Sequence, residues 1–380
     1  MGHALLSASG ASRWMACPPS ARAEAALPDQ TSSYAAEGTT AHRLAEIDLL
    51  KHMGRITGKD YNLARADVEL NEHFNAEMSD YMEEYTDAVV ERINAAGRAE
   101  VLLEEKLDYS MYVKEGYGTG DVVLIYDGTV EVIDLKYGKG VRVDAEENPQ
   151  MRLYGLGALE AYDMLYNIET VKMTVMQPRL NHTSTEELTA DELRVWADEV
   201  VRPAAEKAFA GEGEFKAGDH CKFCKLKATC RARAAANLEL AKYDFAEGPE
   251  LSADEISDIL EKAENLKNWV TDVQSYALDQ AENHNVKYPG YKLVEGRSNR
   301  KYLDDEKVAA TLTAQGYEEI YEKKLLGITK LEKAIGKKTV SEVLADLIIK
   351  PPGKPALVPL SDKRPEMNSV ENAVRDFEEE

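Results

Sequence analysis

The strongest chemical signal in this sequence is a set of four cysteines. Cys221, Cys224 and Cys230 lie in the segment HCKFCKLKATC with the spacing C-x2-C-x5-C, and Cys17 stands alone near the N-terminus. This spacing lets three thiolates meet at one centre, which the fourth can complete. Because nothing in the sequence indicates export, metal binding is favoured over disulfide bonds, and four thiolates are typical of zinc or an iron–sulfur cluster. Such a site would join the two ends of one folded unit.

A second group of reactive residues lies in the segment GTGDVVLIYDGTVEVIDLKYGKG. Asp121 is predicted to open one strand, and Asp134 and Lys136 are predicted to end the next. Residues two apart on a strand share a face, and a tight turn at Asp127-Gly128 would bring Asp121 beside the pair. Two carboxylates and an ammonium at one sheet edge predict a site for a hard divalent cation, where an activated water could cleave a phosphodiester. The alternative for this short D-x-K pattern is a surface ion pair.

Three helix residues are candidates to complete this site. His42 is predicted to lie one turn into a helix that Thr39 or Thr40 caps. Gln150 and Tyr154 are four residues apart, so they share one face of another predicted helix and could contact a phosphate or a base. Each of the three could equally be an ordinary helix residue without a ligand.

The elements that must position these residues follow from hydrophobic periodicity. After an irregular segment at 1–36, the pattern predicts a mixed α/β core in the order helix, three strands, helix, strand. The predicted elements are helices near 39–53, 71–96, 149–164 and 189–209, and strands at 101–107, 121–126, 129–136 and 170–177.

Beyond residue 246 the sequence predicts a second, mainly helical region. Ser252 and Glu255 form a capping box at the start of a long amphipathic helix. Prolines and an acidic end predict an extended tail. We therefore predict a domain at 1–245 and an accessory domain at 246–380, which either contacts DNA or a partner or only packs on the first domain. The other elements predicted in it are a hairpin at 291–302 and helices near 305–315 and 328–348.

Composition sets limits on the function. Apolar residues make up 44% of the chain and charged residues 30%, as in ordinary soluble proteins. The net charge of -23 argues against a general polyanion binder, although a local basic groove or a bound cation can still hold phosphates. No apolar run approaches the roughly 18 residues that a membrane span needs, and no signal peptide is evident. We therefore expect a cytoplasmic protein without a membrane partner.

In combination, these motifs resemble the PD-(D/E)XK nuclease superfamily, in its RecB-like branch with an iron–sulfur cluster. That branch includes the AddB-type helicase–nuclease subunits and the CRISPR adaptation exonucleases. The resemblance covers about residues 5–235, and the motifs occur in the family's order. They are Cys17-Pro18, Glu37-Gly38 through His42, Gly120-Asp121, Asp134-Leu135-Lys136, Gln150 to Tyr154, and the closing cysteines Cys221, Cys224 and Cys230.

The resemblance implies a restriction-endonuclease-like αβββαβ core with added helices, and a metal-dependent deoxyribonuclease. His42, Asp121, Asp134 and the carbonyl of Leu135 would hold Mg²⁺ or Mn²⁺. Lys136 would position or activate the attacking water and balance the developing charge.

The remaining motif residues would have supporting roles. Glu37, Gln150 and Tyr154 would bind the substrate strand or support the centre, and Glu105 is a candidate additional carboxylate. The four cysteines would carry a structural [4Fe–4S] cluster, with zinc as the alternative.

The whole chain also resembles a family from phage and prophage replication or recombination regions. This implies an exonuclease that processes DNA ends in recombination, in a bacterial or phage-infected cell, with a phage single-strand annealing or binding protein as a candidate partner. One alternative is a non-catalytic scaffold that binds DNA ends and retains the fold and the cluster. Another is a four-cysteine electron-transfer or zinc protein whose acidic surface binds proteins.

Overall fold

A five-stranded sheet lies at the centre of the computed structural model, which describes residues 4–28, 33–239, 251–294, 305–314, 326–344 and 347–348. The strands are arranged in the order β1-β2-β3-β4-β5, and only β3 and β4 run parallel. This confirms the predicted mixed α/β class. The strands are β1 (Glu100–Asp108), β2 (Tyr117–Tyr126), β3 (Thr129–Leu135), β4 (Thr170–Gln177) and β5 (His182–Thr189).

The turn between β2 and β3 has the predicted two-residue form. Asp127 and Gly128 have φ angles of 42° and 67°, and the flanking residues Tyr126 and Thr129 pair across the hairpin. Positive φ at both central residues is typical of a type I′ turn, whose twist matches that of the two strands. This tight turn fixes the register in which Val122 of β2 pairs with Ile133 near the end of β3, so that Asp121 and Asp134 are neighbours.

Helices cover both faces of the sheet, and short helical turns make up the rest of the N-terminal part. The helices up to residue 96 are α1 (Ala11–Ala16), α2 (Ser20–Ala25), α3 (Ser33–His52), α4 (Gly58–Glu69) and α5 (Ala76–Ala96). Those that follow are α6 (Pro149–Tyr166), α7 (Ala190–Trp196), α8 (Arg202–Ala210), α9 (Arg231–Leu238), α10 (Ala253–Asn283), α11 (Asp305–Ala314), α12 (Ile328–Ile335) and α13 (Lys337–Val343).

The central strands are buried on both faces, which explains their nearly continuous apolar sequence. On one face, Val123 and Val132 pack in the core that includes α6. On the other, Val122 and Ile133 pack with residues of α3 and α5. Asp134 belongs to the same face as Val132, beneath α6, because side chains alternate along a strand. Asp121 faces the other side, since a Cβ on the preceding Gly120 would meet Val123 and Val132 and the Asp121 carboxylate contacts His42 of α3.

Two predicted helix starts were wrong. Helix α3 begins at Ser33, and Thr39 and Thr40 do not cap it, because their hydroxyls donate to the carbonyl oxygens of Ala35 and Ala36 inside the helix. Such bonds to the preceding turn are the usual way in which a helix accommodates threonine.

The helix predicted at 71–96 is shorter at its start. Asn75 accepts a hydrogen bond from the N–H of Met78, so α5 begins at Ala76. The preceding helix α4 was not predicted, because only Val68 of its twelve residues is buried and its apolar periodicity is weak. The segment predicted as irregular at 1–36 contains α1 and α2, in which the buried Trp14 packs in the same core as α6.

Strand β5 was also not predicted. It reads HTSTEELT and is an edge strand, so it pairs only with β4 and needs little apolar alternation. The predicted helix at 189–209 is two helices, α7 and α8, joined by a π-turn at Ala197–Val201.

The C-terminal region is helical where it is described. Ser252 and Glu255 form the predicted capping box of α10, and α12 and α13 pack on α5. The predicted hairpin at 291–302 is only partly covered: residues 291–294 form no strand, and the rest lies outside the described residues. The boundary near 246 and the proline-rich, acidic tail also lie outside them.

Candidate functional site

Asp121 is the residue on which the elements of the site converge. It lies inside β2 rather than at its start, because the strand begins at Tyr117. Its Oδ2 accepts a hydrogen bond from the N–H of Leu135 at 2.7 Å, and its Oδ1 lies 2.9 Å from Nδ1 of His42 on α3. The predicted meeting of the helix imidazole with a hairpin carboxylate is therefore present.

Glu104 is a third member of this group, and sequence reasoning missed it. Ligand atoms of His42, Glu104 and Asp121 all lie within 4.8 Å of one another. Glu104 has a φ of 50°, an uncommon angle for a residue with a side chain. The neighbour proposed from the sequence, Glu105, instead accepts a hydrogen bond from the hydroxyl of Tyr162. The sequence signal was the pair of adjacent glutamates, Glu104 and Glu105. It does not reveal the backbone angle that places Glu104, rather than Glu105, in this group.

The buried Asp134 and the partly exposed Lys136 form a pair next to this group. The Lys136 ammonium lies 2.9 Å from Oδ2 of Asp134 and donates to Oε1 of Gln150 at 3.2 Å. The amide nitrogen of Gln150 lies 3.5 Å from Oδ1 of Asp134 and 3.3 Å from the hydroxyl of Tyr154. Both predicted α6 residues therefore contact the centre, directly or through each other.

The pKa values around His42 reflect crowding of negative charge. Burial lowers the pKa of His42, but the hydrogen bond and charge of Asp121, with those of Asp134 and Glu104, outweigh it and leave the pKa raised. Burial, followed by the charge of Asp121, raises the pKa of Glu104 to about 7. Both groups can thus carry a proton near neutral pH when no cation balances the carboxylates.

Lys136 is held in its charged form. Burial lowers its pKa, but the adjacent Asp134 carboxylate more than compensates, so the pKa is raised. Burial also raises the pKa of Asp134, and Lys136 opposes that shift. An ammonium at this position can orient a nucleophile and offset negative charge, whereas a neutral amine would be needed to accept a proton.

Tyr85 on α5 also faces this group and was not predicted. Its hydroxyl is buried and, among the described residues, has no hydrogen-bond partner. Burial and the charges of Asp121, Asp134 and Glu104 raise its pKa well above the ordinary value. The hydroxyl is therefore a neutral donor without an acceptor beside three carboxylates.

Glu37 lies apart from these contacts. Its carboxylate pairs with the buried Arg179 at 3.1 Å, and the same guanidinium lies 3.9 Å from Glu77 and 4.6 Å from the ring centre of Tyr137. Glu37 therefore ties the start of α3 to the turn after β4. The structure does not place Glu37 with His42, Glu104 and Asp121. Its partner Arg179 could not be predicted from the sequence, because the two residues are far apart in the chain.

Gly118 is needed where the Tyr154 ring lies against β2. A methyl group on Gly118 would overlap Cε1 of that ring, whereas Gly138, beyond β3, has open space around it. We expect Gly118→Ala to displace Tyr154 and to lower the free energy of unfolding by about 1–3 kcal/mol, as overpacked sites do. Urea denaturation measures this. Gly138→Ala is the control and should change stability by less than about 1 kcal/mol; equal effects of the two variants would contradict the packing described.

The four cysteines are brought together by contacts between the two ends of the core. Arg13 donates to the carbonyl oxygen of Phe223 at 3.3 Å, and the N–H of Lys225 donates to Glu24 at 2.6 Å. The backbone of Lys216 contacts two of the thiols: its N–H lies 3.4 Å from Cys17 Sγ and its carbonyl oxygen 4.0 Å from Cys221 Sγ.

Burial controls the protonation of these thiols. Cys17, Cys221 and Cys224 are buried. Burial raises the pKa of Cys221, and that of Cys224 to about 12, so both are thiols at neutral pH unless a metal displaces the proton. In the part of the chain that the structure describes, no three of the four sulfur atoms lie within 4.8 Å of one another.

Comparisons with known proteins give a family and a weak structural similarity. Among the helices described, none combines the length and apolar character that crossing a bilayer demands. The solved structure described as "Crystal structure of SSO0001" is 14% identical, with 58% of this chain and 96% of that chain covered and a TM-score of 0.22. That similarity carries no argument about fold or function. Residues 3–365 match the family described as "Protein of unknown function (DUF2800)", and the chain therefore belongs to the DUF2800 family.

Proposed function

We propose that this protein is a metal-dependent deoxyribonuclease, an exonuclease that processes DNA ends in phage recombination or replication. The observation that carries the proposal is the convergence of His42, Glu104 and Asp121 within 4.8 Å, beside the pair of Asp134 and Lys136. The order of α5, three strands, α6 and β4 supports assignment of the core to the PD-(D/E)XK type.

The residues of the centre fit a hard divalent cation. Mg²⁺ and Mn²⁺ prefer oxygen ligands, and neighbouring ligands of an octahedral ion with bonds of about 2.1 Å lie about 3 Å apart. The distance of 2.9 Å between His42 Nδ1 and Asp121 Oδ1 agrees with this. The unpaired hydroxyl of Tyr85 also leaves a donor for a further oxygen. His42, Asp121, Asp134 and Glu104 would hold the cation, which when bound would stabilise negative charge on the phosphate.

Lys136 and Gln150 have the clearest roles in the reaction. Hydrolysis adds water at phosphorus and breaks one P–O bond. The Lys136 ammonium, fixed between Asp134 and Gln150, can donate to the attacking oxygen and balance the charge that develops in the transition state. Gln150 accepts from Lys136 and donates to Tyr154, so it fixes the direction of the ammonium.

The cysteines are proposed to hold a [4Fe–4S] cluster with a structural role. Four thiolates on one zinc ion lie about 3.8 Å apart, because each Zn–S bond is about 2.3 Å. No three of the four sulfur atoms lie within 4.8 Å of one another among the described residues, so a single zinc ion would fit them less well than a larger group. The N–H of Lys216 that points to Cys17 Sγ is the kind of donor that stabilises a cluster thiolate.

The test is incubation of end-labelled duplex and single-stranded DNA with Mg²⁺ or Mn²⁺, compared with a chelator. We expect metal-dependent shortening of linear DNA. A closed circular substrate separates exonuclease from endonuclease action, since only the latter cuts it. Binding of DNA ends without any shortening would favour the non-catalytic scaffold, and the absence of both binding and cleavage would overturn the proposal.

Cation binding at the centre is expected to weaken as the pH falls below about 7. The pKa of Glu104 is about 7 and that of His42 is raised, so at lower pH both groups hold protons that a cation must displace. Each displaced proton would weaken the apparent affinity by up to about tenfold per pH unit. Titration calorimetry with Mn²⁺ in two buffers of different ionisation enthalpy measures the protons released.

The control for this titration is Glu104→Gln. This variant removes one titrating ligand, so it should release fewer protons and show a shallower dependence on pH. An affinity that is constant between about pH 6 and about pH 8 would contradict the linkage.

A further inference from the structure

A single buried guanidinium contacts three separate parts of the chain. Arg179 lies in the turn Pro178–Leu180 that follows β4, and only 5% of its side chain is exposed. Its Nη1 lies 3.1 Å from Oε1 of Glu37 on α3, and its Nη2 lies 3.9 Å from Oε2 of Glu77 on α5. Its Cζ lies 4.6 Å from the ring centre of Tyr137, in the segment after β3. One side chain therefore joins α3, α5 and the end of β3.

Each of these three segments also carries a residue that faces the proposed centre. Helix α3 carries His42, about 7.5 Å along the axis from the contact with Arg179. Helix α5 carries the buried Tyr85, about two turns beyond its own contact with the guanidinium. Tyr137, on which the guanidinium lies, directly follows Lys136 in the chain. The parts that meet at Arg179 are thus the parts that must be held in register for the centre to form.

The turn that carries Arg179 is itself fixed close to Lys136. Leu135 pairs with Met176 across β3 and β4, and the N–H of Lys136 donates to the carbonyl oxygen of Met176 at 2.9 Å. The turn then packs on α5. Arg179 therefore lies only three residues beyond the point where Lys136 joins β4, and a change in its contacts acts on Lys136 over a short path.

Stability alone does not account for this group of charges. The side chains of Arg179 and Glu77 are 5% and 8% exposed, and burying such ions costs free energy that apolar residues of similar volume would not require. Within the described part of the chain, Nε of Arg179, Oε2 of Glu77 and the hydroxyl of Tyr137 are buried and make no hydrogen bond, which adds to that cost. Buried ionic groups of this kind can serve to select one arrangement of the elements around them.

The position requires the shape of arginine as well as its charge. A guanidinium is planar and carries N–H groups on several edges, so it can face two carboxylates while its flat side lies on a ring. The ammonium of a lysine is a compact charge on a flexible stem, and it cannot make all three contacts of Arg179 at once. A lysine here would therefore release at least one of the three segments.

The group is not suited to bind a phosphate of the substrate. Two carboxylates, those of Glu37 and Glu77, surround the one guanidinium of Arg179, so an incoming phosphate would meet an excess of like charge. The side chain of Arg179 is also nearly inaccessible. A role in holding the protein elements is left as the use of these contacts.

We propose that Arg179 is a positioning residue of the nuclease centre, which fixes α3 and α5 against the segment after β3 and so sets the position of His42 relative to Lys136. This inference rests on the proposed function, because it takes His42 to bind a cation. Arg179 itself touches neither the cation nor DNA. Its replacement should therefore weaken cation binding and lower kcat, while the KM for DNA ends stays almost the same.

The test compares Arg179→Lys with the unmodified chain. We expect the Kd for Mn²⁺, measured by titration calorimetry without DNA, to rise by about tenfold or more, as it does when groups that orient metal ligands are replaced. The kcat on end-labelled DNA should fall by about tenfold or more, with KM within about twofold. Circular dichroism at the assay temperature checks that the variant is folded.

Glu37→Gln is a milder second variant, which carries the test if Arg179→Lys does not fold. About a quarter of the Glu37 side chain is exposed, at 25%, and glutamine keeps its size while removing its charge. We expect the Kd for Mn²⁺ and kcat to change in the same directions. The double variant should be no worse than Arg179→Lys alone, because both substitutions disrupt one interaction; additive losses would contradict the proposal.

The matched control is Arg194→Lys. Arg194 on α7 also lies between two carboxylates, Glu160 at 3.2 Å and Asp163 at 2.8 Å, but Glu160 is about 15 Å along α6 from Gln150. This control should leave the Kd for Mn²⁺ and kcat within about twofold of the unmodified values.

The outcomes separate this inference from the proposed function. An unchanged Kd for Mn²⁺ in Arg179→Lys, or an equal rise in Arg194→Lys, would overturn the positioning role. Weaker Mn²⁺ binding by Arg179→Lys, in a protein that cleaves no DNA, would overturn the nuclease activity and leave the positioning role intact. No binding of Mn²⁺ by the unmodified chain would overturn both.

Discussion

Asp121→Asn is expected to lower metal-dependent DNA cleavage by about a thousandfold or more while the fold is retained. Asparagine keeps the shape of the side chain and can still accept the hydrogen bond from Leu135, but it lacks the charge that pairs with His42 and attracts a cation. Loss of one charged ligand costs several kcal/mol of transition-state stabilisation, and each 1.4 kcal/mol corresponds to about tenfold in rate. End-labelled DNA and saturating Mn²⁺ measure the rate, and circular dichroism checks the fold.

A matched control is available in the same hairpin. Asp127→Asn makes the same chemical change in the exposed turn, where asparagine also tolerates the positive φ. It should leave the rate unchanged. Asp134→Ala and Lys136→Ala should lose activity as Asp121→Asn does, because their side chains contact each other at the centre. Full activity in all three of these variants would end the nuclease hypothesis.

Cys221→Ser is expected to remove iron from the protein and to lower its thermal midpoint by about 10 °C or more. Unfolding of a domain of this size responds by about 2–4 °C per kcal/mol, and a structural metal site contributes several kcal/mol. The reason is that Cys221 and Cys17 meet at the backbone of Lys216, where the two ends of the core join.

Protein purified without oxygen allows the check. Iron analysis and visible absorbance should show a cluster in the unmodified chain and none in the variant, and calorimetry gives the midpoint. A measurement of stoichiometric zinc without iron would show that the cysteines bind zinc instead of a cluster. An unchanged midpoint together with unchanged metal content would contradict a structural role for these thiols.

The core of the fold could be predicted from the sequence because its strands are buried on both sides. The apolar runs of β2, β3 and β4 predict strands that are buried on both faces, and the Asp-Gly turn predicts a hairpin between β2 and β3. Elements with little buried surface could not be predicted in the same way. Helix α4 buries only Val68, and β5 is a polar edge strand, so their sequences carry weak periodic signals.

The residues of the candidate metal centre also differ in how well they could be predicted from the sequence. Asp121, Asp134 and Lys136 could be predicted to approach one another because the two-residue turn sets the register of β2 and β3. Glu104 depends on one unusual backbone angle, and Tyr85 depends on how α5 packs against the sheet. Glu37 was predicted to serve the substrate or support the centre, but its partner Arg179 is 142 residues away in the chain, and no local pattern reports such a pair.

The closure between Glu24 and Lys225 spans 201 residues, and this separation has a consequence for biosynthesis. At about 5–20 residues per second, a ribosome needs about 10–40 s to make the intervening chain. During that time α1 and α2 lack the contacts that Arg13 and Glu24 make with Phe223 and Lys225, although the surface of α6 is already available to α1. The contact between Glu24 and Lys225 is thus among the last contacts of the described core to become possible during synthesis.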